Sequence, residues 1–474
     1  MEAEMTALKA ELAKTKTQQV ASKAAPVAAQ ATAAPTPIDE SMFKPQTQGM
    51  APATGGAAHD EWVKRVKDLG QFGITYRSDG FKVDGLRFGA YGESVFGRTD
   101  EGDGGKNGFD AERMVLLGTY ALTDDIIFNT EIEFEHGGIA AEEDDKLGGA
   151  IEVEQLFIDF RVNDHFTWRS PGVDVVPVGY INLFHEPTQY YSTQRPELYH
   201  NLIPSTWFAP STGAYGKIVD GLNYQFQVSA GLEDSEATAS DNGNVPDGGY
   251  GAGITGTNGL KYARAPIGDN SQVGDNVAYT GRLSYAPAFI PGLSGSSSVY
   301  YTNDTTPRGA YGTNADGTTR SLGGSDFLMF DTEVRYRIPK TGFELRSEFV
   351  QANIGTPGNL RANNDGDATN NVGDSMYGYS FEGSYHVKLA SSDVESWEFV
   401  PFYRYSQIDM QTAGFDGTDA NDPSGAGFNT YHTFGAALFP TPKLVLKADY
   451  QIVEDKDSQT ANQKSLLGSV GFFF

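Results

Sequence analysis

The stretch SLLGSVGFFF (residues 465–474) puts Leu466, Gly468, Val470, Phe472 and Phe474 on one side of an extended chain. Successive side chains of a strand point to opposite faces, so this reads as a β-strand with one apolar face and an aromatic last residue. A soluble antiparallel sheet shows the same alternation with the apolar face buried. The rest of the chain therefore decides which side the apolar face meets.

Working back from this strand, the pattern repeats. In KLVLKADYQI, Leu444, Leu446, Ala448, Tyr450 and Ile452 alternate with Val445, Lys447, Asp449 and Gln451. In FDTEVRYRI, Phe330, Thr332, Val334, Tyr336 and Ile338 alternate with Asp331, Glu333, Arg335 and Arg337. FNTEIEFE sets Phe128, Thr130, Ile132 and Phe134 against Asn129, Glu131, Glu133 and Glu135. Sixteen strand candidates emerge: 86–96, 109–120, 126–135, 151–161, 173–184, 213–218, 222–230, 277–286, 293–302, 327–338, 343–353, 375–387, 397–407, 429–439, 444–453 and 465–474. Strands 109–120 and 151–161 alternate poorly. Most candidates have the ~9–11 residues a tilted strand needs to cross a bilayer.

The connections alternate between long and short. Tight turns carry suitable residues, such as Asp220-Gly221, Pro291-Gly292 and Pro339-Lys340-Thr341-Gly342. Long loops on one side and tight turns on the other predict an all-β transmembrane antiparallel barrel of about sixteen strands, spanning 86–474. The mean hydropathy of −0.40 does not oppose this, because lumen-facing residues dilute lipid-facing ones.

Ahead of the barrel, Met5, Leu8 and Leu12 give 1–20 the spacing of a short helix or a frayed amphipathic tail. Such a helix is too short to stand alone in water, and a three-fold coiled coil would rescue it. Residues 21–58 read as a flexible Ala/Pro-rich linker. Residues 59–85 hold a second short amphipathic helix and a leading strand. No basic and apolar leader precedes them, so an export signal is expected to have been removed.

The net charge of −27 makes nucleic acid an improbable partner. The absence of Cys excludes disulfides, thiolate metal sites and covalent haem. No metal site and no cofactor are expected. Asp100-Glu101-Gly102-Asp103 and Asp365-Gly366-Asp367 resemble calcium loops in composition alone and read as solvated loops, with divalent bridging to lipopolysaccharide as the other reading.

If the apolar set faces lipid, the polar set lines the lumen. The expected lining includes Arg87, Glu131, Glu133, Glu333, Arg335, Arg337, Arg346, Glu348, Arg404 and Lys447. These charges are either functional or merely solvated and paired. The third long connection, 185–212, has three Tyr, two His, one Trp and four Pro, while the other long loops look solvated. A loop this aromatic should bury itself. Its polar members His185, Glu186, Tyr190, Tyr191, Gln194, Arg195 and Glu197 are candidates for a constriction, unless the loop packs only for stability with Arg195 paired to Glu186 or Glu197.

The closing strand with its terminal Phe474 resembles that of Gram-negative outer-membrane barrels, where the assembly machinery reads the last residue. VGYINLFHEPTQYYSTQRPELYHNLIPSTWFAPSTGAYG (residues 178–216) is similar to the strand-and-loop segment of the phosphate-selective porin O/P group, with His185-Glu186-Pro187 and Arg195-Pro196 at the matching positions. The resemblance implies a homotrimeric diffusion channel in lipid and lipopolysaccharide, narrowed by its third external loop, with a short coiled coil ahead of it. The group's Arg ladders are interrupted here by Glu131, Glu133, Glu333 and Glu348. Weak selectivity is therefore expected, slightly for cations. The competing readings are a phosphate- or anion-specific channel, a structural barrel gripping peptidoglycan through 1–20, a barrel enzyme using His136, His200 or His432, and the sheath of an electron conduit. Nothing in the sequence supports the enzyme.

Overall fold

A computed structural model describes residues 81–83, 86–100, 106–138, 149–204, 206–234, 254–256, 258–265, 267, 276–306, 311–313, 319–321, 324–363, 372–389, 397–412, 427–455 and 462–474. Sixteen antiparallel strands form a closed barrel. In chain order they are β1 Leu86–Asp100, β2 Lys106–Ala121, β3 Ile126–Glu135, β4 Ile151–Asn163, β5 Phe166–Val175, β6 Phe208–Val219, β7 Leu222–Ala230 and β8 Val277–Tyr285. The second half comprises β9 Leu293–Thr302, β10 Phe327–Arg337, β11 Phe343–Ile354, β12 Ser375–Tyr385, β13 Glu398–Thr412, β14 Phe428–Thr441, β15 Leu444–Asp455 and β16 Gln463–Phe473. Each strand pairs with its sequence neighbours. β16 returns to β1, in register from Tyr91 opposite Phe473 to Asp100 opposite Lys464. Phe474 completes the seam by exchanging both backbone hydrogen bonds with Ala90, at 2.9 and 2.8 Å. Closure leaves no unpaired edge.

The alternation resolves as expected. Leu466, Val470, Phe472 and Phe474 are exposed, as are Phe330 and Val334 on β10 and Leu446 and Tyr450 on β15. Their neighbours Ser469, Asp331, Lys447 and Asp449 are buried inside. An apolar outside around a polar interior is the reverse of a soluble protein, and this is a membrane-spanning barrel. At the tight turns, Gly221 sits at φ 79°, where an added Cβ would lie 2.4 Å from the carbonyl oxygen of Ala286.

Two expectations about strands and loops need correction. The fifth strand is not 173–184 but Phe166–Val175, reached by a turn at Asp164-His165, and Tyr180–Leu183 is a turn of helix, α1. Pro171 and a register shift between Arg169 and Gly172 hide the strand's alternation, and Pro177-Val178-Gly179 ends it early. The poor alternation of β2 has a different origin. Val115 and Leu117 face inward and pack with Tyr91 and Phe473, so both faces of that strand are apolar. The second correction concerns the long loop 231–276. Within its described part, Ile254, Leu260 and Ala263 are fully buried, so this loop is not wholly solvated.

Phe81–Val83 pairs with the start of β1. The helix expected at 1–20, the linker at 21–58, the second helix and the acidic clusters at 101–103 and 365–367 lie outside the described residues.

Candidate functional site

Residues 176–207 join β5 to β6, and those described, 176–204 and 206–207, lie inside the barrel. The chain turns inward at Gly179, whose φ of 73° suits glycine; a Cβ there would meet Tyr199 at 2.6 Å. Asn182 ties the two ends of the loop together. Its Nδ2 donates to the Val176 carbonyl at 2.8 Å, and its Oδ1 accepts from the Trp207 amide at 2.7 Å. A second turn of helix, α2, spans Leu198–Asn201. Gly378 on β12 leaves room for it, since a Cβ there would lie 2.6 Å from methyls of Leu198 and Leu202.

The loop's apolar side chains form one buried cluster with the wall. Leu198, Leu202, Ile203 and Trp207 pack with Met329, Val350, Met376 and Ile408, and with Ile254 and Leu260 of the next long loop. The amide of Leu260 donates to the Asn201 carbonyl at 2.6 Å, joining the two loops directly.

The polar residues of the loop meet charged groups around most of the wall. Glu197 takes a two-pronged contact from Arg404 on β13, Nη2 to Oε1 at 3.0 Å and Nε to Oε2 at 3.1 Å. It also accepts from Ser406 at 2.8 Å and Gln451 at 2.7 Å. Arg404 donates further to Ser192 at 2.9 Å and to Glu382 at 3.1 Å. The Tyr190 hydroxyl donates to Glu93 at 2.7 Å, and Lys447, bonded to the same Glu93 at 2.9 Å, lies 3.8 Å over the Tyr190 ring. The Thr193 amide donates to Asp449, and Gln194 donates to Glu112 at 3.1 Å. Tyr191 meets His386 at 3.1 Å beneath the guanidinium of Arg346. The Tyr199 hydroxyl donates to Glu348. Arg195 donates to Thr206 at 2.7 Å, while Glu197 is held by Arg404. His185 and Glu186 are both buried, with His185 beside Glu131 and Glu154.

The lining residues expected from sequence divide into two groups. Glu131, Glu133, Glu348, Arg404 and Lys447 are almost wholly buried, and of these Glu348 and Arg404 also edge the cavity beside the loop. Arg335 and Arg346 converge on Glu344, at 2.7 and 2.6 Å. Glu333 pairs with Arg282 at 2.8 Å. Arg337 lies at the short-turn rim, half exposed and paired to Glu398, and Arg87 lies near the same end of β1, opposite Thr119. Sequence reading missed Arg282, although Thr280, Arg282 and Ser284 show the lumen alternation on β8. A cavity of about 410 Å³ remains beside the loop, bounded by Arg282, Arg335, Arg346, Arg404, Glu333, Glu348 and Glu382 on the wall and Tyr180, Phe184 and Tyr199 on the loop. It reaches the short-turn rim at Gly221 and Ala286.

The histidines considered for a catalytic group are dispersed. His136 bonds Asp110 at 2.7 Å at the long-loop end of β3, and His432 contacts the exposed Tyr403 on the outer face.

No family model matches the chain. A protein of Aquifex aeolicus (strain VF5), described as uncharacterized, is 26% identical over 391 residues, covering 79% of this chain and 77% of that one. Among solved structures, Salmonella typhi OmpF in complex with daunomycin superposes with a TM-score of 0.50 at 12% identity, over 83% of this chain and 99% of OmpF. The outer-membrane channel DcaP of Acinetobacter baumannii gives 0.49 at 11% identity, over 83% and 99%. An anion-selective porin from Comamonas acidovorans gives 0.47 at 12%, over 82% and 99%. The likeness to OmpF is one of fold. It agrees with the apolar belt and closed ladder in making the chain an outer-membrane β-barrel.

Proposed function

We propose that the chain is a porin, a passive water-filled channel for small hydrophilic solutes and ions. Its constriction is the inward-folded loop, with His185, Glu186, Tyr190, Tyr191, Gln194, Arg195 and Glu197 seating that loop or facing the path. The observation that carries this reading is the combination of a sixteen-stranded barrel, wide enough to hold a channel, with an interior loop that leaves a charged cavity beside it. The protein is not an enzyme on this reading. It sits in lipid and lipopolysaccharide as a homotrimer, Phe474 serves as its assembly signal, and 1–20 forms the coiled coil or touches peptidoglycan.

Selectivity follows from the cavity wall. Arg282, Arg335, Arg346 and Arg404 face Glu333, Glu348 and Glu382, with Glu344 beneath two of the arginines. Each cation has an acidic neighbour, so the local field is mixed, and the loop charge farther out is screened within ~8 Å at physiological salt. Weak selectivity, slightly for cations, is the expected result of reversal-potential measurements in a KCl gradient. A phosphate-specific channel is favoured by one observation, the direct pairing of Arg335 with Arg346 across β10 and β11. Against it, the motif residues shared with the phosphate-selective group seat the loop here: Arg195 bonds Thr206, and His185 faces two carboxylates. Phosphate at micromolar concentration blocking chloride current, with the block lost in Arg335→Ala, would replace the general-diffusion reading.

A further inference from the structure

We infer that Glu131, Glu154 and His185 form a divalent transition-metal site that fastens the interior loop to the β3–β4 wall. All three are buried, with exposures of 0%, 0% and 2%. One ligand atom from each lies within 4.8 Å of the other two.

The orientation of His185 is fixed from behind. Its Nδ1 lies 2.8 Å from the carbonyl oxygen of Asn182. A carbonyl only accepts, so Nδ1 carries the proton and donates. Nε2 is then turned toward Glu131 Oε1 and Glu154 Oε2, each 3.5 Å away. This is the arrangement in which metal-bound imidazoles are held. Separations of 3.5 Å are long for N–H···O hydrogen bonds. They are close to the ~3.3 Å between two donor atoms that sit ~2.0–2.1 Å from one tetrahedral ion.

Glu154 supplies an independent observation. Neither of its carboxylate oxygens makes a hydrogen bond of ordinary length, Glu133 and His185 being its polar neighbours, and Oε2 of Glu131 also lacks one. A buried carboxylate in that condition is strongly disfavoured unless a cation satisfies it. The backbone brings it there on purpose of geometry: Glu131 pairs with Gln155 but Ile132 pairs with Val153, leaving Glu154 as the extra residue of a β-bulge. Bulges re-aim a side chain, and this one turns both Glu154 and Gln155 to the inside. Tyr91 steadies Glu131 by donating to Oε1 at 2.9 Å.

The surrounding charge points the same way. Glu112 and Glu133 flank Arg113 on the same part of the wall, so the site lies among further carboxylates. One imidazole and two carboxylates suit ions such as Zn²⁺, Mn²⁺ or Fe²⁺. A bound ion would join β3, β4 and the loop at one point.

The test needs no channel measurement, so it stands or falls apart from the porin reading. Detergent-solubilised protein is stripped with chelator, shown to be folded by its heat-dependent gel mobility, and titrated with Zn²⁺ in a calorimeter. A parallel titration with Co²⁺ is followed by visible absorption. One saturable ion per chain is expected, with Co²⁺ bands of an oxygen- and nitrogen-ligated site and a Zn²⁺-dependent rise in the unfolding temperature. His185→Ala and the near-isosteric Glu154→Gln each weaken binding by more than the ~10–100-fold that loss of an outer partner costs. Glu154→Gln carries the comparison if His185→Ala does not fold. Absence of saturable binding to the folded wild-type protein overturns the proposal. So does binding that is unchanged in the folded variants, which would place the ions on the acidic loops.

Discussion

Bridging residues 190–198 with a short glycine-serine linker raises single-channel conductance severalfold and admits larger solutes. The segment places Tyr190 against Glu93 and Lys447, Thr193 against Asp449, and Glu197 against Arg404. Those contacts reach β1, β13 and β15, so removing the segment clears side chains from much of the interior. The barrel itself survives, because its sixteen ladders are closed by backbone bonds in which the segment takes no part. Planar-bilayer recordings on the bridged and intact proteins make the comparison. Equal conductance from a folded bridged barrel would show that the path does not run past this loop.

Arg404→Leu has the largest expected effect of any single substitution. Arg404 is 2% exposed and carries Glu197 and Glu382 together. Removing it leaves the buried Glu197 without its cation, while Glu382 keeps Arg346 at 3.6 Å, and the loss at Glu197 costs ~3–5 kcal/mol. The loss falls on the seat of the loop, so hydrogen exchange should quicken across α2 and its flanks while the strand ladders stay protected. Arg337→Leu is the contrast. Arg337 is half exposed at the rim and its pair with Glu398 is worth ~0–1 kcal/mol. Equal losses in the two variants would contradict the view that the buried pair seats the loop.

The same lock has a pH dependence of known sign. Burial alone would raise the Glu197 carboxyl, but the guanidinium of Arg404 and its hydrogen bonds, with that of Ser406, hold it below its ordinary 4.5. A carboxyl depressed in the folded state stabilises that state fully above its unfolded value. The contribution falls as pH drops below that ordinary value and is gone once pH passes the lowered folded value. The loop should therefore stay seated through the mildly acidic range.

The barrel was legible because strand alternation and the long–short rhythm of connections are local signals, written in each hairpin. SLLGSVGFFF shows its lipid face directly, and the structure turns Leu466, Val470, Phe472 and Phe474 outward. The fifth strand was misread because Pro171 and the irregular pairing near Gly172 erase the period of two. Inward burial of the third loop could be foreseen from its Tyr, Trp and Pro content. The burial of Ile254 and Leu260 could not, because those isolated apolar residues sit among Gly and polar residues and are held in part by backbone bonds. Glu197 was identified, but its partner Arg404 lies 207 residues away, and pairings across a barrel leave no trace in local spacing. Glu154 was invisible for a related reason. A bulge reverses its facing, and a strand read by strict alternation offers no way to place it.

The most direct test of the central claim is a planar-bilayer recording on the intact purified protein. The account predicts discrete, steady conductance steps that are ohmic, scale with KCl concentration and grow when the loop is bridged. A folded barrel, verified by heat-dependent gel mobility, that inserts without conducting would contradict it and favour a structural barrel instead.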